Sequence, residues 1–210
     1  MVRKSANKRG MFMKCYVTNN SPYARKVRIV ALELGLYDEI EWETLTREER
    51  GDLQIYNPLG KVPVAILDTG DIVCDSPVIC AYVDSLPNSR NLIPESVSKR
   101  WEVLTLEALG DGLGEAVIAV SQENQRSNEL RSQDVVDRQI GKIKSALSVL
   151  DKAASDFNDP PLIGEIAVAC SLGYMDFRGI VPEWRERYAN MARWYTIILK
   201  RQSFMETTPS

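Results

Sequence analysis

Between Met13 and Leu86, short apolar runs alternate with polar turns, and the spacing of the apolar positions changes from run to run. "MKCYVT" (13–18) reads as a strand. In "PYARKVRIVALEL" (22–34) the side chains of Val27, Val30, Ala31 and Leu34 recur at i, i+3, i+4 and i+7, the spacing of one helix face, and Gly35 supplies a stop. "EIEWETL" returns to a period of two, with Ile40, Trp42 and Thr44 on one side. The polar "REERGDLQIYNPLGK" holds at most a short helix followed by a turn. Two β-branched runs, "VPVAILD" and "DIVCD", flank Thr69-Gly70 and predict a hairpin. Residues 76–86 predict a second helix with Val78, Ile79, Tyr82 and Val83 facing inward. The predicted order is β-α-β-(α)-β-β-α.

"PNSRNLIPES", rich in Pro, Asn and Ser, then predicts a linker over 88–97, after which every periodic segment is helical. Val136, Ile140, Ile143, Leu147 and Leu150 form a core-facing stripe, and 166–175 carries no charge, the composition of a helix buried all round. A small α/β domain over 13–87 followed by an all-helical domain over 98–210 is the expected architecture. The start, "MVRKSANKRGMF", is basic and lacks the apolar core of a secretory signal. Residues 1–12 are read as a disordered extension, or as an upstream start preceding Met13.

Composition narrows the function. The chain has 210 residues, 44% apolar and 26% charged, with a formal net charge of −3. That balance gives no reason to expect nucleic acid or an anionic membrane as partner, and no apolar run approaches the ~20 residues of a membrane helix. Four scattered cysteines without a CxxC pair, in a chain with no histidine, predict a reducing, cytoplasmic setting and no metal site. The absence of histidine also removes Ser-His-Asp triads, Cys-His pairs and imidazole bases together.

"TNNSPYARKVRIVALELG" (18–35) and "CDSPVICAYVDSL" (74–86) share one grammar, Ser-Pro ahead of an apolar helix. Ser is a favoured N-cap and Pro a favoured first helical residue, so two well-begun helices would suffice. In a β-α-β-β-α unit, however, both helix starts can open on one sheet edge, where free N–H groups and the partial positive charge of each helix favour anions. Between them lies "NPLGKVPVAIL", in which a cis Val62-Pro63 bond would turn the Val62 backbone outward for an extended peptide; a trans proline opening the strand is the plainer alternative.

"SPYARKVRIVALELG", "NPLGKVPVAILDTGDIVCDSPVICAYVDSL" and the helical remainder resemble the soluble, cytosolic glutathione S-transferase family, in its serine-type bacterial-like form, over residues 13–205. The resemblance implies a thioredoxin-like N-terminal domain, an all-α C-terminal domain and glutathione as co-substrate. It implies that the Ser21 hydroxyl donates to the glutathione sulfur and that Val62 pairs its backbone with the cysteinyl part. Pro63 would be the family's cis-proline, and Lys61 would reach the glycyl carboxylate. Asp75 would take the γ-glutamyl ammonium, while Ser76 and its helix start take the carboxylate. Asn20 is the main rival donor, Asn19 a lesser one, and Tyr23 a wall of the substrate pocket. The implied activity is conjugation of glutathione to a hydrophobic electrophile, in detoxification, by a homodimer. A glutathione-binding or protein-interaction module with little turnover, and a glutathione-dependent isomerase using Arg25 or Arg178, are the alternatives.

The chemistry needs no base. A free thiol with pKa near 8.5 is about 3% thiolate at pH 7, and lowering that pKa by ~2 takes roughly 2.7 kcal/mol. One charge-assisted hydrogen bond of ~1.5–3 kcal/mol, helped by a helix dipole, supplies it. With serine rather than cysteine at position 21, thiol exchange and dehydroascorbate reduction are disfavoured.

Other segments carry expectations of their own. Cys15 should be a buried core thiol, and Cys74 a structural one nearer the site. "GDGLGE" (110–115) lacks a preceding strand, so it is no dinucleotide fingerprint; its glycines should let a helix approach its neighbour. Glu107, Asp111 and Glu115 should form a solvated face, and Arg25 a surface or interdomain ion pair. "LIGEIAVAC" offers Glu165 but only Leu162 at the cap, half of a capping box.

Overall fold

The first apolar run forms β1 (Met13–Val17), which buries Met13, Cys15 and Val17 completely and leaves Lys14 and Tyr16 half-buried on the opposite face. The computed structural model describes residues 11–46, 48–87 and 90–209, and the chain divides into two compact units, Met1–Asn91 and Leu92–Ser210. Residues 1–10 of the expected extension lie outside the described residues. Phe12 does not fit the expectation of disorder: its N–H donates to the Glu39 carbonyl at 3.2 Å, and its own carbonyl accepts from Asp68 N–H at 2.9 Å.

A parallel neighbour to β1 requires a crossover, and α1 (Pro22–Glu33) provides it. Its stripe of Val27, Val30 and Ala31 is fully buried and Leu34 nearly so. Gly35 ends the helix at φ +72°, a conformation side chains disfavour, with its N–H on the Leu32 carbonyl at 3.1 Å. β2 (Ile40–Thr44) pairs parallel with β1, and among the described residues the polar stretch that follows carries only a 3-10 segment, Glu49–Ile55. β3 (Val64–Leu67) runs antiparallel to β1, and β4 (Ile72–Val73) antiparallel to β3, giving the order β2-β1-β3-β4.

α2 (Ser76–Ser85) corrects one expectation. Val78 is 52% exposed, whereas Cys80 is buried, so the inward frame is Ser76, Ile79, Cys80 and Val83. These positions also stand at i, i+3, i+4 and i+7. Because the helix is apolar over most of its circumference, periodicity alone admitted two frames.

The second unit is helical: α3 (Val97–Asn124), α4 (Gln133–Ala153), α5 (Ile163–Phe177), and the shorter α6 (Trp184–Arg187), α7 (Ala189–Ile198) and α8 (Gln202–Met205). The end of the expected linker contributes to it from Leu92 on, since Leu92 and Ile93 are buried and the Leu92 carbonyl accepts from Ile163 N–H at 3.2 Å. Every residue from Ile163 to Met175 is buried, as the uncharged sequence of 166–175 predicts. The α4 stripe buries Val136, Ile143, Leu147 and Leu150, with Ile140 half-buried. Glu107 is 4% exposed and therefore not part of a solvated face, in contrast to exposed Glu115. At the end of α5, both carboxylate oxygens of Asp176 accept from Arg185, at 2.8 and 2.6 Å, and one also accepts from the buried Trp184 indole N–H at 2.8 Å.

α3 and α5 approach closely at two glycines. A methyl at Gly110 would stand 2.7 Å from the Val168 nitrogen, and one at Gly164 would stand 2.8 Å from the Val103 carbonyl oxygen. Ser171 donates to the Gly110 carbonyl at 2.7 Å across the same crossing. Gly110→Ala is expected to destabilise the protein by about 2 kcal/mol, since the steric cost outweighs the ~1 kcal/mol gain in helix propensity. Gly112, exposed with nothing within 4 Å of an added methyl, gives the opposite sign. Gly112→Ala should stabilise by about 0.5–1 kcal/mol. Urea unfolding of the two variants beside the parent checks both; equal shifts would contradict the close approach.

Candidate functional site

The sheet register places the two Ser-Pro starts and Val62-Pro63 at one edge. Tyr16, near the C-terminal end of β1, lies opposite Val64 at the start of β3, and Ala65 lies opposite Val73 at the end of β4. The loop to Ser21, the approach to β3 and the entry to α2 therefore leave the sheet on the same side. The Val62–Pro63 peptide is cis, as is Cys74–Asp75.

Ser21 is the N-cap of α1 with extended backbone, and its Oγ accepts from Ala24 N–H at 3.2 Å. A hydroxyl accepting one bond still has its own proton to give. Among the described residues that proton has no acceptor. The capping role and a donor role are thus compatible. Asn20 and Tyr23 beside it are half-buried and Asn19 is exposed. Thr18, at the foot of the same loop, is buried, and its Oγ1 makes no hydrogen bond among the described residues.

Asp75 is the N-cap of α2, but its side chain makes no capping bond and is exposed. Its carbonyl accepts the first helical bond from Ile79 N–H at 3.0 Å, which leaves the Ser76 and Val78 N–H groups in the uncompensated first turn. Ser76 is 2% exposed, and its hydroxyl has no partner among the described residues. The entry to α2 thus presents unfilled donors beside a carboxylate, a pairing suited to a group bearing both an anion and a cation.

The segment before β3 adds backbone donors and acceptors. Val62 precedes the ladder, and its N–H and C=O make no hydrogen bond among the described residues. Lys61 is exposed and its carbonyl accepts from Asn57 Nδ2 at 2.9 Å; Pro63 is buried. Asn57, 3% exposed, carries a role that reading the sequence passed over. Its only signal there was an Asn-Pro pair in a turn.

Cys15 is buried in β1, and burial pushes its thiol up to about 12, so it is inert as a nucleophile. Cys74 is exposed. Arg25 is 2% exposed, which overturns its expected surface position. Its Nη1 is buried as well, on a turn of α1 that is buried all round from Ala24 to Val27. Arg178 is half-buried, its guanidinium 5.1 Å from the Tyr174 ring and 5.0 Å from the Phe177 ring. Among the described residues no group of three or more His, Cys, Asp or Glu stands close enough to hold a metal, and no helix is long and apolar enough to cross a membrane.

Residues 20–86 match the model of the glutathione S-transferase N-terminal domain, and residues 133–196 that of its C-terminal domain. The uncharacterized GST-like protein YibF of Escherichia coli is 32% identical over 200 residues, 94% of this chain and 98% of YibF. A glutathione transferase family member from Pseudomonas fluorescens, solved with bound glutathione, has a TM-score of 0.89 at 36% identity, covering 94% of this chain and 99% of its own. A glutathione S-transferase from Methylobacillus flagellatus, also with glutathione bound, has a TM-score of 0.89 at 34% identity, covering 94% and 100%.

Proposed function

The chain belongs to the glutathione S-transferase family, and we propose that it binds glutathione along the sheet edge of Ser21, Val62 and Ser76 and activates the thiol for attack on a hydrophobic electrophile. The observation that carries this reading is the unfilled hydrogen-bonding capacity gathered at that edge: the Ser21 hydroxyl proton, the Val62 backbone and the Ser76 hydroxyl with its helix start. A tripeptide with an ammonium and a carboxylate at one end and a thiol in its middle matches these groups in order. Asp75 takes the ammonium, Ser76 and the α2 entry take the neighbouring carboxylate, and Val62 pairs with the cysteinyl backbone. Lys61 reaches the glycyl carboxylate, Pro63 fixes the turn beside Val62, and Ser21 donates to the sulfur. Asn20 is the alternative donor, and Tyr23 walls the electrophile's pocket. The glutathione in the Pseudomonas and Methylobacillus proteins supports the ligand assignment. We place the protein in the cytoplasm as a homodimer, the usual assembly of its family.

Calorimetric titration with glutathione at neutral pH tests the grip. Saturable binding of one glutathione per chain is expected, and Ser76→Ala should weaken it about tenfold, the loss of one hydrogen bond to a charged group. Silence at millimolar glutathione would reduce Ser21 and Ser76 to helix caps. Binding without conjugation of any generic electrophile would instead make the protein a glutathione-binding module.

A further inference from the structure

The segment that delivers Val62 has no ladder partners, since β3 begins only at Val64. Something else must hold its backbone for a ligand to pair with it, and Asn57 is placed to do so. Its backbone N–H donates to the Leu53 carbonyl at 2.8 Å, and its carbonyl accepts from Gly60 N–H at 2.8 Å. Its side chain is bonded at both ends: Oδ1 accepts from Leu59 N–H at 3.0 Å, and Nδ2 donates to the Lys61 carbonyl at 2.9 Å. An N–H on one side and a carbonyl on the other fix which way the amide points. At 3% exposure the side chain is shielded from competing water.

The second of these bonds reaches further than the turn. The Lys61 carbonyl and the Val62 N–H belong to one planar peptide unit and, in a trans peptide, point in opposite directions. Tethering the carbonyl to Asn57 therefore aims the Val62 N–H directly away from Asn57. We propose that Asn57 is a positioning residue for glutathione, orienting the Val62 peptide unit so that its N–H meets the ligand's cysteinyl carbonyl. This rests on the glutathione reading above. The Leu59 bond alone is the ordinary Asx turn of an Asn-Pro sequence and needs no ligand. The Lys61 bond is the additional feature.

Asn57→Asp separates the two. A carboxylate keeps the acceptor for Leu59 N–H but sets an oxygen against the Lys61 carbonyl, so the turn survives and the tether is lost. Calorimetry with glutathione, run below the variant's lowered unfolding midpoint, should show Kd raised about tenfold or more. An unchanged Kd in Asn57→Asp, with Ser76→Ala weakened, overturns the role of Asn57 alone. If the parent itself fails to bind, the glutathione reading falls and the positioning role falls with it. Should Asn57→Asp not fold, amide NMR of the parent protein decides. Glutathione should shift the Asn57 side-chain amide and the Val62 N–H together, at one Kd; a Val62 shift with a stationary Asn57 amide overturns the proposal.

Discussion

Ser21→Ala is expected to lower kcat/KM for conjugation of glutathione to a generic electrophile by about 25-fold at pH 7, as the thiolate falls from about three-quarters to about 3% of the bound thiol, with Kd for glutathione raised only about fourfold. The magnitude follows from the thiol. To hold a pKa near 6.5 in place of ~8.5, the site must favour the thiolate by roughly 2.7 kcal/mol, and a single hydroxyl donor is the group placed to supply most of it. Losing it returns the bound thiol to its ordinary pKa, so the rate of the variant should climb with pH to well above neutrality, where the parent has already levelled off. Rate against pH for the two proteins, at saturating glutathione, is the measurement. A variant profile coincident with the parent's would remove Ser21 from the chemistry.

Ser21 also caps α1 through its bond from Ala24 N–H, so helix fraying could mimic a chemical loss. Glycine separates the two effects. As an N-cap it costs only a few tenths of a kcal/mol, against about 1 kcal/mol for alanine, yet it removes the hydroxyl just as completely. Ser21→Gly should therefore be as slow as Ser21→Ala while melting closer to the parent. An active Ser21→Gly beside an inactive Ser21→Ala would make the serine a cap alone. Asn20→Ala then becomes the decisive variant, since Asn20 is the half-buried neighbour with a spare amide N–H.

The fold was most legible where one physical requirement dominated. α1 shows a clean apolar stripe ended by a glycine at positive φ, and residues 166–175 of α5 are uncharged because they are buried all round. α2 misled because Val78, Ile79, Cys80, Tyr82 and Val83 wrap most of the helix, so sequence could not say which edge of the apolar arc met the sheet. Glu107 misled, and the surface alternative for Arg25 failed, for another reason: whether a long charged side chain lies on the surface or is enclosed whole is a tertiary fact. The candidate site divided likewise. Ser21, Val62 and Ser76 were visible because Ser-Pro and Val-Pro advertise backbone geometry. Asn57 was not, because a side chain that serves a loop is recognised only once the path of that loop brings Lys61 to its amide.

Glu165 carries the largest expected effect on stability. The sequence offers half a capping box, and the leucine at the cap position has no acceptor with which to complete it. The missing half is made up by the acid itself. One carboxylate oxygen accepts from Leu162 N–H at 3.0 Å, and the other accepts from Asn158 N–H at 3.0 Å and Asn158 Nδ2 at 2.6 Å. Glu165 thus ties the chain before α5 to the helix start, at 1% exposure and with its negative charge at the positive end of the dipole. Glu165→Ala leaves two backbone N–H groups and an amide without their acceptor, each costing about 1–3 kcal/mol where water is excluded. Asn158 is only half-buried, and a groove of about 290 Å³ lined by Glu165, Phe157 and Leu106 adjoins it, so water will recover part of that loss. The expected destabilisation is roughly 3–4 kcal/mol, read from chemical denaturation. Glu165→Gln retains an oxygen for Asn158 but offers no second acceptor to Leu162, and should cost about half as much. A loss below about 1 kcal/mol for Glu165→Ala would mean that water entering from the groove replaces the carboxylate, and that α5 is held by its apolar burial alone.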